Sequence, residues 1–64
     1  MNTDTVWKLH VAGIVSVFAL DRFSAIQLAG RVAKKEGLVA ILRSAHEEIR
    51  VRPNGLVRVL GEAS

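Results

Sequence analysis

The sequence predicts an α+β domain, a small antiparallel-rich sheet in the order ββαβββ with one helix packed on one face. Three observations carry this. Strand-like segments flank Ala12-Gly13 near the start, and alanine recurs at helical spacing in the middle of the chain. In the last third, two Val/Arg-alternating segments flank Pro53-Asn54-Gly55. With 64 residues the chain makes one domain, residues 1–5 and 61–64 being expected as loose ends.

Val6 to Val11 alternates Trp7, Leu9 and Val11 with Lys8 and His10, the period of a strand. Ala12-Gly13 suits a tight turn, and Ile14 to Leu20, rich in Val and Ile, reads as the second strand. A two-residue turn pairs Val11 with Ile14 and Trp7 with Phe18. Trp7, Leu9, Val11, Ile14, Phe18 and Leu20 then form the core side, and Lys8, His10, Val15, Val17 and Ala19 the other side. Ser16 is the one polar residue on the core side, and nothing in this reading accounts for it.

Ser24-Ala25-Ile26-Gln27 has the form of a capping box, with Ser24 expected at the helix cap and Phe23 expected to staple onto Leu28. Ala25, Leu28, Ala29 and Val32 recur at helical spacing, flanked by Ile26 and Ala33, while Gln27, Arg31, Lys34 and Lys35 take the outer face. Lys34 and Lys35 suit the C-terminal end of the helix dipole, and Gly37 suits the position just beyond it.

Residues 38–49 fit two patterns. Leu38 to Leu42 reads as a short buried strand, yet Leu38, Ile41, Leu42, Ala45 and Ile49 also form a helical stripe. The strand is preferred because Gly37 stops the preceding helix and the apolar run is short. The closing hairpin is clearer. Proline fixes φ for a type I turn and Gly55 supplies a left-handed residue, which pairs Arg52 with Leu56, Val51 with Val57, Arg50 with Arg58 and Ile49 with Val59. Ile49 and the valines share one face; Arg50, Arg52, Arg58 and Leu56 share the other.

Half of the residues are apolar, enough for a core, and there is no cysteine, which fits a reducing, cytoplasmic setting. The longest apolar stretch, allowing glycine and serine, runs from Val11 to Leu20, half of the roughly 20 residues that a spanning helix needs. Met1 to Thr5 lacks the positive region of a signal peptide, so the chain is expected neither to span a membrane nor to be secreted. Nine Lys and Arg against six Asp and Glu give a net charge of +3, which tolerates an anionic partner without demanding one.

No catalytic or metal-binding pattern is present. His10 and His46 are the only side chains suited to acid–base work at neutral pH, and both read as surface residues. His46-Glu47-Glu48 starts like a zinc-protease motif but has no histidine four residues after His46. The serines lack a nucleophile-elbow context, and the isolated glycines make no phosphate loop. The chain is therefore read as a non-enzymatic binding protein without a cofactor. Its expected contact face is the sheet face away from the helix, with Lys8, His10, Arg50, Arg52, Leu56 and Arg58 as partner-binding residues. A face that mixes arginine with Val15, Val17 and Leu56 is typical of protein interfaces, and it could also close a homodimer. The alternative is an arginine hairpin that binds nucleic acid, most simply duplex phosphates, since Trp7, Phe18 and Phe23 are all expected to be buried and so unable to stack on bases.

The run Phe23 to Gly37, with Ala25-Ile26, Ala29 and Ala33-Lys34-Lys35-Glu36-Gly37 before an apolar strand, resembles a family of small bacterial and phage domains of unknown function. Those domains place two short strands before an alanine-rich helix and strands after it. The size and ββαβ layout are also similar to small phage anti-CRISPR proteins. That resemblance implies a phage or mobile-element accessory protein that inhibits a host protein or nucleoprotein complex; it transfers no residue, and the hairpin at Ile49 to Leu60 departs from the pattern.

Overall fold

The computed structural model describes residues 5–62; the ends expected to be loose, 1–4 and 63–64, lie outside them. Thr5 and Gly61–Glu62, also expected to be loose, belong to strands. The elements are β1 (Thr5–Val11), β2 (Ile14–Leu20), α1 (Arg22–Glu36), β3 (Ala40–Arg43), β4 (Glu47–Val51) and β5 (Val57–Glu62). They form one five-stranded sheet in the order β2-β1-β3-β4-β5, with each neighbouring pair antiparallel.

The β1–β2 turn is two residues long and has positive φ at both positions, 54° at Ala12 and 77° at Gly13. That is the type I′ geometry, whose twist matches the strands it joins. It sets the expected register, Val11 opposite Ile14 and Trp7 opposite Phe18. β2 and β3 both run antiparallel to β1 and hence parallel to each other. A parallel step cannot be made by a tight hairpin, and the connection is the helix α1, which crosses over β1, the one strand between them.

The helix starts earlier than Ser24. Asp21, extended at φ −69° and ψ 161°, is the cap: its Oδ2 accepts the Ser24 amide at 3.0 Å and its Oδ1 accepts the Ser24 hydroxyl at 2.7 Å. The two carboxylate oxygens accept one Ser24 donor each, with Asp21 at the cap, so Ser24 occupies the third helical position. Gln27 is correspondingly not part of a capping box. Phe23 falls in the first turn and is 68% exposed, so it neither staples the helix nor joins the core, contrary to expectation. At the other end the Gly37 amide donates to Ala33 O at 2.8 Å from a left-handed backbone.

Ala25, Ala29 and Ala33, one turn apart, are fully buried and form the stripe of α1 that meets the sheet. Their small side chains let the helix lie against Trp7, Leu42, Ile49 and Val51, the largest fully buried side chains. Leu28 and Val32, expected within the stripe, are half-buried at its margin. The Trp7 indole donates to Leu20 O at 3.1 Å, which ties the end of β2 to β1.

Coverage by the helix explains the largest departure from the sequence reading. A helix with its side chains is about 10 Å across and strands lie about 4.8 Å apart, so one helix shields the middle of a five-stranded sheet and leaves its edges bare. α1 packs on β1, β3 and β4. Ile14 on β2, expected in the core, is therefore 67% exposed, and Val57 and Val59 on β5 are 41% and 47% exposed.

Residues 38–49 form strands, with no helical stripe. β3 begins at Ala40, two residues later than expected, and Leu38 and Val39 are exposed. Ser44 builds the next turn: its hydroxyl oxygen accepts the amides of His46 and Glu47, each at 3.2 Å. The final hairpin has the expected register, Arg50 opposite Arg58 and Val51 opposite Val57, and the Arg52 amide donates to Leu56 O at 2.8 Å.

Candidate functional site

The face of the sheet away from α1 carries every residue the sequence assigned to partner binding. Alternation along each strand puts Lys8 and His10 of β1 on this face, with Arg50 and Arg58 of β4 and β5 in the same plane. Arg52 and Leu56, the pair that closes the β4–β5 hairpin, continue the row and are exposed.

Pairing across the strands orders these side chains. One row runs Val15, His10, Ile41, Arg50, Arg58, and a second runs Val17, Lys8, Arg43, Glu48. The face is thus divided. Its β2 edge is apolar, with Val15 and Val17 at 50% and 62% exposure, and on β1 the exposed Val6 (59%) stands beside Lys8 and His10. Its β3 to β5 side is charged.

Arg43, Glu48 and Ile41 were not among the residues singled out in the sequence. Arg43 and Glu48 pair directly across β3 and β4, and Arg43 Nε donates to Glu48 Oε1 at 2.9 Å. Arg50 Nε lies 3.8 Å from the other oxygen of Glu48. One carboxylate therefore stands between two guanidiniums. The signal for it was present, since opposite charges flank the short turn at Ser44-Ala45-His46, but it could not be read while residues 38–49 were open to two interpretations.

Lys8 is opposite Arg43, two cations side by side on adjacent strands. Among the described residues Lys8 has no ion-pair partner. It lines a shallow concavity of about 510 Å³ together with Val6, His10, Arg43, Ser44 and Ala45. His10 is half-buried there, and its Nε2 is shielded from solvent without a hydrogen-bond partner.

On the helix side, Arg22 is bidentate to Glu47, with Nε to Oε2 at 2.8 Å and Nη2 to Oε1 at 3.3 Å. This hydrogen bonding, and then the charge of Glu47, pushes the Arg22 guanidinium above its ordinary range. Asp21 is held below the usual carboxylate range, first by the Ser24 hydroxyl and then by the Ser24 amide. Both arrangements fasten the start of α1 and form no reactive pair. Ser44 accepts two turn amides and His46 is exposed. Among the described residues no three His, Cys, Asp or Glu side chains converge, and no helix is long and apolar enough to cross a membrane.

Comparison with family models, with curated proteins and with solved structures finds no match to this chain.

Proposed function

We propose that this chain is a non-enzymatic binding protein whose open sheet face docks on an acidic, partly apolar protein surface. The observation that carries the reading is the division of that face: the valines of β2 and Val6 adjoin a run of cations that extends from Lys8 of β1 to Arg58 of β5, with Glu48 held among them. Interfaces between proteins combine an apolar centre with arginine in this way. A phosphate backbone would meet the Glu48 carboxylate where it needs cations, and it would leave the apolar half of the face without a role. The face also presents no aromatic ring for base stacking: Trp7 is buried on the helix side, Phe18 pairs with it there, and the exposed Phe23 belongs to the helix.

An inhibitor of a host protein complex, acting in a reducing cytoplasm without a cofactor, is the narrower form of this proposal. It rests only on the resemblance in size and ββαβ layout drawn from the sequence. Nucleic-acid binding through Arg50, Arg52 and Arg58 is the competing form.

A two-probe amide NMR titration tests the reading. One probe is a peptide alternating glutamate and leucine, and the other is a short DNA duplex. Expected are peptide-induced shifts in both Val15–Val17 and Arg43–Arg58, with weak dependence on salt. Shifts produced only by the duplex, confined to the arginine hairpin and falling log-linearly with salt, would overturn it.

A further inference from the structure

The two edges of the sheet are treated differently. β5 carries Arg58, and its pairing with β4 is broken by a register shift between Glu47 and Ile49 next to Gly61, whose φ is +89°. Charges and bulges of this kind keep an edge from pairing with other chains. β2, the opposite edge, is Ile14-Val15-Ser16-Val17-Phe18-Ala19-Leu20, seven residues without a charge or a proline. Nothing on it prevents strand addition.

We propose that β2 is a dimerisation strand, pairing antiparallel with β2 of a second copy about a two-fold axis at Val17.

The hydrogen-bond phase of the hairpin selects this register. A two-residue type I′ turn makes its flanking residues, Val11 and Ile14, a hydrogen-bonded pair. Alternation then directs the N–H and C=O groups of Ile14, Ser16, Phe18 and Leu20 toward β1, and those of Val15, Val17 and Ala19 toward the open edge. With Val17 on the axis, Val17 faces its own copy and Val15 faces Ala19. Every outward group then meets an outward group of opposite kind.

The side chains agree with the same register. On the open face Val17 meets Val17, covering a residue that is 62% exposed in the single chain. On the helix side Ile14, 67% exposed, comes opposite Leu20. Ser16 comes opposite Phe18, a small residue against a large one. Ser16 borders a groove of about 170 Å³ between β2 and the later turns of α1, whose lining includes Leu9 and Val32. The partner's Phe18 ring is placed to enter it, which gives Ser16 the reason that a single chain does not: a larger residue would block the ring.

Charge favours a second copy as the occupant. The chain is cationic at +3, but its arginine cluster begins at β3, two strands away from this edge. Across the dimer the nearest cations, Lys8 on the two β1 strands, would be about 14 Å apart and the two β3 strands about 24 Å apart at about 4.8 Å per strand, beyond the roughly 8 Å over which exposed charges act at physiological salt. An isologous contact also closes on itself, leaving only the protected β5 edges at the ends of a ten-stranded sheet, so it stops at two copies.

Pairing along one edge makes a small interface, so a micromolar, concentration-dependent dimer is expected. Light scattering should show the mass rising from 7.0 kDa toward twice that value with concentration. Val17→Lys places two cations across the axis and should raise the dissociation constant by about tenfold or more; its circular dichroism should be unchanged, because Val17 is outside the core. Val59→Lys on the other edge should leave dimerisation intact. A second measurement does not rely on a variant: at high concentration the amides of Val15, Val17 and Ala19 should exchange slowly with solvent, like those of Ser16 and Phe18. A monomer at roughly 1 mM with fast exchange at those three amides would overturn the proposal. So would a dimer indifferent to Val17→Lys, or growth into larger assemblies.

Discussion

Arg50 stands directly across from Arg58 in the β4–β5 ladder, and the carboxylate that lies 3.8 Å from Arg50 belongs to Glu48, which also holds Arg43 at 2.9 Å. Like charges placed opposite each other on a sheet oppose folding. Glu48 relieves part of that repulsion at Arg43 and Arg50, and Arg58 is left available to an incoming acidic group. Glu48→Gln should therefore lower stability by about 0.5–1 kcal/mol, and more at low salt than at high salt. It should also raise affinity for a DNA duplex, which the carboxylate opposes, measured as a lower dissociation constant at fixed salt. An unchanged urea midpoint and unchanged duplex affinity would mean that Glu48 does not organise the face.

The cap of α1 predicts a response to acid. The Asp21 carboxyl titrates below its ordinary value of 3.8 because the Ser24 hydroxyl and amide bind its charged form. A group whose pKa is lower in the folded chain favours folding above its unfolded value, and that contribution disappears as pH falls through the folded value. Asp21→Ala should destabilise the protein at pH 7, and the difference from wild type should shrink as pH drops below about 3.8. Ser24→Ala keeps the cap and loses one hydrogen bond, so it should cost about 0.5–1 kcal/mol, less than Asp21→Ala. Urea titrations at several pH values separate the two.

Two neighbouring positions on α1 should respond with opposite sign. Ala29 is fully buried against the sheet, so Ala29→Leu would force the helix outward at a cost of about 1–3 kcal/mol. At Gly30 a Cβ would lie 3.8 Å from Val51 Cγ1, an ordinary contact, so Gly30→Ala should stabilise by about 0.5–1 kcal/mol through helix propensity. Thermal melts of the two variants check this directly.

What could be read in the sequence was what short-range chemistry dictates. Ala12-Gly13 and Pro53-Asn54-Gly55 fix their hairpins locally, so both registers, and with them the shared face of Lys8, His10, Arg50 and Arg58, follow from turn type and alternation. The cap was misplaced because Ser24 and Gln27 match one pattern while Asp21, three residues earlier, supplies a better acceptor. Alternation gave the side on which Ile14, Val57 and Val59 lie, but not their exposure. That depends on which strands the helix covers, a property of the strand order β2-β1-β3-β4-β5. The pairing of Arg43 with Glu48 is local to the β3–β4 turn and stayed hidden because residues 38–49 fit a helical stripe as well as a strand.

Charge reversal on the open face is the most direct test of the account. Arg50 and Arg58 are exposed and outside the core, so Arg50→Glu combined with Arg58→Glu should leave circular dichroism and the cooperativity of unfolding unchanged. Isothermal titration with the alternating glutamate–leucine peptide should then show binding by the wild type and at least about a tenfold loss in the double variant. A double variant that folds and binds the peptide with undiminished affinity would contradict the account, leaving the arginine face as solvated surface.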